Sequence, residues 1–301
     1  MLNSLLIAAL CVVWGATWVA IKIGLSDSPP FYGAGLRFLI ASAILGVWVW
    51  RMRKPWPERT APWGWIVVAG LLMFFGSYAT VYYVEQYINA ALAAILFASF
   101  PFFVAVGAHF YLDNERLTPV KTLGLVIGFS GVIVVFGGGT TAPATSRWWA
   151  PALMLISPIA SAIVSIVIKK HLTRHDPFVL NFIQMSLGTL VLLPVAALVE
   201  DIGDFHWTQS AVGALLFLSL FGSVFTFVTY YYLLRIMEAS RLSLIAFVTP
   251  IVATLLGWIV LDEKLTPATL VGATLVLAGI WIVNVIGARP GVSQKSYPQL
   301  K

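Results

Sequence analysis

Residues 112–119 read LDNERLTP, and residues 261–267 read LDEKLTP. The two phrases stand 149 residues apart, each after a long apolar run and before a run studded with glycine. Other landmarks recur at nearly the same distance. Lys22 and Lys169 close apolar runs 147 residues apart, and Pro30-Phe31 and Pro177-Phe178 open the next runs at that offset. Tyr82-Tyr83 answers Tyr231-Tyr232 and Pro101 answers Pro250, both at 149. Gly124 and Gly131 answer Gly272 and Gly279 at 148. The chain therefore reads as one unit stated twice.

The unit is a membrane unit. The 301 residues are 60% hydrophobic and only 10% charged, with mean hydropathy +0.92; a soluble domain carries about 25% charged residues. Apolar stretches long enough to cross a bilayer fall at 4–24, 32–50, 63–84, 89–111, 119–137, 148–169, 177–199, 210–234, 241–261 and 267–287. Period-2 alternation is absent, which argues against a β-barrel. The start has no basic segment before its apolar run and does not read as a cleaved signal. The lone Cys11 excludes an intrachain disulfide and reads as packing.

The net charge of +6 is a topology signal, and no nucleic-acid partner is expected. With the N-terminus inside, 14 Lys and Arg fall on the inner side, against Lys22, Arg147 and Lys264 outside; Arg37 lies within the second stretch. Positive charge accumulates on the cytoplasmic side, so both termini are expected in the cytoplasm. The expected fold is all-α, with ten transmembrane helices. Residues 1–139 form a first five-helix repeat, 140–147 a linker, 148–288 a second repeat and 289–301 a polar cytoplasmic tail. Five is odd, so the second copy inserts upside down. Inverted repeats are a signature of secondary transporters, with the site near the midplane and rocking of the halves for alternating access.

The residues also resemble a known family. Trp14-Gly15-Ala16-Thr17-Trp18, Arg37-Phe38, and Pro101 with Glu115-Arg116-Leu117-Thr118-Pro119 carry the resemblance in the first half. Pro250 with Asp262-Glu263-Lys264-Leu265-Thr266-Pro267 carries it in the second, and Gly124, Gly131, Gly272 and Gly279 complete it. Over residues 4–287 the chain resembles the drug/metabolite transporter superfamily, in particular its EamA branch. The resemblance implies a ten-helix inner-membrane carrier that exports amino acids or other small metabolites. The sequence holds no HExxH, P-loop or Gly-x-Ser-x-Gly motif, so no cofactor, metal or enzymatic activity is expected.

Candidate substrate contacts follow from residue type and depth. Trp14 and Trp18 share a helix face, as do Phe74, Tyr78 and Tyr82, and Phe221, Phe225 and Thr229. Such stripes usually pack against neighbours or lipid. Aromatic faces with few polar groups nevertheless suit a zwitterion, because a ring face attracts an ammonium group. Ser157, Ser161, Asn181 and Gln184 add uncharged hydrogen-bonding groups. The expected substrate-binding set is Trp14, Trp18, Tyr78, Tyr82, Phe97, Ser161 and Asn181. Arg37, two turns into a membrane helix, is either a functional charge or a structural lock; the lock is preferred. Pro101 and Pro250 each free a backbone carbonyl and read as paired hinges or as static kinks.

All twelve acidic residues fall in loops or at helix ends. A mid-membrane carboxylate for ion coupling is therefore not visible, although helix-end groups such as Glu85 offer another route. Glu200, Asp201 and Asp204 read as solvated surface. His171 and His175 have metal-pair spacing, but no third ligand stands near, and a solvated loop is preferred. Gly124 and Gly128, with Ala268 and Gly272, offer small faces that fit either docking of the fifth helix on the tenth or a homodimer. The preferred function is export of amino acids, aromatic or otherwise neutral, from the cell through the inner membrane. Export of drug-like cations or of sugar phosphates is the alternative. An intramembrane enzyme lacks a polar cluster at one depth, and a channel does not need the hinge prolines.

Overall fold

In the computed structural model the usual arrangement of a soluble protein is reversed. Leu190 and Leu198 are 70% and 84% exposed, while Arg37 and Glu85 are 0% exposed. Only a lipid surround makes that arrangement favourable, because hydrocarbon tails solvate leucine and cannot solvate a charge. The structure describes residues 2–88, 90–113, 115–137, 149–261 and 267–286. The expected linker at 140–147, residues 262–266 of the second charged phrase and the tail from 289 lie outside the described residues.

The described residues are helical, with no strand among them. Without water, each backbone amide must bond within its own segment, which a helix does. The elements are α1 (Leu2–Leu25), α2 (Pro30–Arg51), α3 (Trp63–Val84), α4 (Ala90–Phe97 and Phe100–Tyr111) and α5 (Pro119–Gly137). There follow α6 (Trp149–Leu172), α7 (Pro177–Val199), α8 (Gln209–Ile236), α9 (Ala239–Leu242 and Ile245–Leu261) and α10 (Pro267–Trp281, continued by Ile282–Ile286). Eight helices among the described residues are long and apolar enough to cross a membrane; Pro119–Val134 and Leu270–Trp281 are shorter apolar helices.

Helix ends are held by side chains because their first amides and last carbonyls have no partner in the helix. Asp176 Oδ1 accepts from Phe178 N (2.8 Å), behind Pro177 at the first position of α7. Glu200 does the same for α2, accepting from Phe31 N and Tyr32 N at 2.9 Å each. Glu200 is thus a helix cap and not the solvated surface group its acidic neighbours imply. Glu115, in the charged phrase after α4, accepts from Ala239 N (2.8 Å) and Ser240 N (2.9 Å) at the start of α9.

The helices pair mainly as α5 with α10, α2 with α7, α3 with α6 and α1 with α8. A Cβ on Gly131 would stand 2.6 Å from Gly272 O, and one on Gly279 would stand 2.5 Å from Gly124 O. The small faces of α5 and α10 are therefore filled by each other within one chain. α4 breaks just before Pro101 and α6 just before Pro158. Pro250 behaves differently: α9 runs through it, and Thr249 Oγ1 donates to the carbonyl of Ala246 that the proline leaves free (3.2 Å). The interruption in α9 lies earlier, at Ser243-Leu244.

Candidate substrate cavity

A cavity of about 70 Å³ lies among α1, α3, α4, α6, α8 and α9, enough for roughly five waters at ~10–15 Å³ each. One wall is aromatic. Trp14 meets Tyr230 with ring centroids 5.2 Å apart and Phe227 at 5.9 Å, and Trp18 meets Phe97 at 5.6 Å. Tyr78 and Phe100 complete it. The other wall is hydroxylic. Ser77 Oγ lies 2.8 Å from Ser157 Oγ and 3.2 Å from Ser161 Oγ, and Ser165 Oγ lies 3.0 Å from the Tyr230 hydroxyl. Spacing on α6 places Ser157, Ser161 and Ser165 in one row. No charged side chain lines the cavity among the described residues. Trp14 Nε1 is buried here with no hydrogen-bond partner among the described residues.

Of the seven residues expected from the sequence, Trp14, Trp18, Tyr78, Phe97 and Ser161 line this cavity and two do not. The Tyr82 hydroxyl accepts from Arg37 Nη1 at 3.5 Å, and its ring packs on α2 beside Gly33. Asn181 points back along α7, where its amide donates to Pro177 O at 2.8 Å. Phe227 and Tyr230 take the place expected for the Phe221, Phe225 and Thr229 stripe, and Phe221 is half exposed. A wide-turned π segment at Leu220–Phe225 shifts the register of α8, as one at Leu71–Ser77 does in α3. Such bulges are not legible in helical spacing. Ser77, Ser165 and Tyr230 were not singled out; the serine row on α6 was the available signal.

Arg37 is buried and bonds from α2 to α8. Its Nε donates to Ser223 Oγ (2.8 Å) and its Nη2 to Gly222 O (2.8 Å), both in the π segment of α8. Its guanidinium also stands 4.8 Å from the ring of Tyr78, on which the cavity rests. Gln184, 147 residues later, accepts from the Tyr231 hydroxyl at 2.5 Å. Pro101 directly follows the cavity residue Phe100, and Pro250 follows Thr249. His171 stacks on Trp65, with centroids 4.9 Å apart.

Four residues beyond the cavity residues Trp18 and Ser165, Lys22 and Lys169 each latch a helix end. Lys22 Nζ donates to the carbonyls of Glu85 (2.7 Å) and Ile88 (3.3 Å), where α3 ends. Lys169 Nζ donates to those of Leu234 and Met237, 2.7 Å each, where α8 ends. The four acceptors match pairwise at an offset of 149.

The model of the EamA-like transporter family matches this sequence twice, over residues 1–137 and 148–285. The chain belongs to the EamA-like transporter family. It is a membrane transporter by that membership. It is 30% identical to the uncharacterized transporter YoaV of Bacillus subtilis (strain 168), over 92% of this chain and 94% of that one. It is 23% identical to Protein PagO of Salmonella typhimurium, over 97% and 95% respectively. A solved crystal structure shares the fold, with TM-score 0.76 and 18% identity over 94% of this chain and 96% of the other. Lys22 lies in the first matched segment and Lys169 in the second.

Proposed function

We propose that this EamA-family transporter is a secondary carrier that exports neutral amino acids, aromatic ones included, from the cell by alternating access. Its ten helices cross the inner membrane as two inverted five-helix halves, with both termini in the cytoplasm. The observation that carries the substrate class is the cavity wall: aromatic rings opposite a row of hydroxyls, one unpartnered indole N–H and no charged side chain among the described residues. A zwitterion brings its own two charges. Ring faces attract its ammonium by about 0.5–2 kcal/mol, and the Trp14 N–H and serine hydroxyls serve its carboxylate. A phosphate ester would need a cation, and a drug-like cation gains most from a carboxylate; neither lines the cavity.

The inverted arrangement is supported by the doubled family match, the paired lysine latches and the excess of positive charge on one side. In this reading the Lys22 latch closes the outer end and the Lys169 latch the inner end. Counterflow tests the function. Purified protein in liposomes loaded with unlabelled amino acid, without any ion gradient, is expected to accumulate labelled tryptophan, phenylalanine or leucine. No counterflow with any neutral amino acid, from protein shown to be folded, overturns the substrate class.

A further inference from the structure

Glu85 lies just past the end of α3 at Val84, is 0% exposed, and neither carboxylate oxygen has a hydrogen-bond partner among the described residues. The sequence offers Glu85 only as a helix-end route for coupling; its full burial is visible only in the structure. An ionised carboxylate so placed is strongly disfavoured unless it is paired, whereas a neutral carboxyl is far easier to bury. The charged and titratable groups that face it are Lys22 from α1, Arg37 from α2 and Tyr82 on its own helix. Arg37 directs three of its five N–H donors to Ser223, Gly222 and Tyr82, and none to the Glu85 carboxyl. Lys22 bonds the backbone carbonyl of Glu85, not its carboxyl. Burial pushes the Glu85 carboxyl up to about 8, against the opposing pull of Lys22 and Arg37. At neutral pH it therefore holds a proton, which it loses as the pH passes 8.

The other latch isolates the function of this side chain. At the offset of 149 the residue is Leu234, whose carbonyl Lys169 holds in the same way. One latch thus carries a titratable side chain where the other carries an apolar one. Glu85 also stands one helical turn from Val81, and Lys22 directly follows Ile21; both neighbours line the cavity.

We propose that Glu85 is a proton-binding site that controls the outer latch. With the proton bound, the carboxyl is neutral, Lys22 stays on the two carbonyls and the outer end is shut. When the proton leaves to the outer solution, the carboxylate draws Lys22 off those carbonyls and admits water, and the outer end opens. The proton returns from the same side before the end recloses. The proposal rests on the carrier reading for what the opening serves, but its test needs no substrate.

A cysteine at Thr17, which lines the cavity, is placed in a Cys11→Ser background in sealed vesicles. Its labelling by an impermeant maleimide from the outer side is compared with and without Glu85→Gln at each pH, so that thiol ionisation cancels. The ratio is expected to be near one at pH 6 and about tenfold in favour of Glu85 at pH 9, one unit past its titration. A ratio that stays near one at both values overturns the proposal. Infrared spectra of the unsubstituted protein keep the idea testable if the glutamine variant does not fold. A protonated carboxyl band that fades between pH 6 and 9 is expected, and a spectrum without one overturns the proposal. Failed counterflow alongside a pH-dependent ratio would remove the amino-acid reading and leave Glu85 standing. A flat ratio alongside successful counterflow would do the reverse.

Discussion

Trp14 is the residue at which the substrate reading is most exposed to test, because its buried indole N–H has no partner. Trp14→Phe keeps a ring and removes that donor. A hydrogen bond to a charged group contributes about 1.5–3 kcal/mol, so half-saturation in counterflow should rise by ~10-fold or more, with little loss of folded protein. An unchanged half-saturation would show that the indole N–H does not bind substrate. Arg37 makes the contrasting case. Lysine keeps the charge but not the fork that reaches Ser223 and Gly222 together. Arg37→Lys is expected to cost about 1.5–3 kcal/mol of stability, read as a lower thermal midpoint in detergent. The lock reading of Arg37 was available from the sequence, since an arginine inside a membrane helix must bond something. Its partners were not, because they lie 185 residues away in a segment whose π geometry leaves no trace in residue spacing. Glu85 was legible as a helix-end alternative for coupling; its burial was not, because it follows only once the neighbouring helices are in place.

Among the elements, the pairing of α5 with α10 depends on backbone contact. A Cβ on Gly131 would meet Gly272 O at 2.6 Å and Val276 N at 2.7 Å, neither of which can rotate away. Gly131→Ala should destabilise the protein by about 1–3 kcal/mol through that overpacking. Gly64→Ala, where nothing lies within 4 Å, should leave the thermal midpoint unchanged. Equal midpoints for the two variants would contradict the packing account. Helix positions were legible because apolar length is set by bilayer thickness. Breaks were less so. Pro101 and Pro158 interrupt their helices, yet Pro250 does not, because a neighbouring threonine satisfies its free carbonyl. A proline removes a hydrogen bond in every case; whether the helix parts there depends on what stands beside it.

For the whole molecule, the sequence told most through its doubling. Two charged phrases, two lysines and two tyrosine pairs recur at offsets of 147 to 149, and in the structure the two lysines hold helix ends in matching ways. The cavity was legible in its aromatic half, where large side chains at helical spacing stand out. Its hydroxylic half drew less notice, because serine in a membrane helix bonds its own backbone as readily as a ligand. Alternating access requires this cavity to open in turn to each side. The direct measurement uses Ser161→Cys in a Cys11→Ser background, in sealed vesicles exposed to an impermeant maleimide on one face at a time. Modification is expected from either face, slowed by a saturating neutral amino acid. Modification confined to one face whatever the conditions would contradict alternating access.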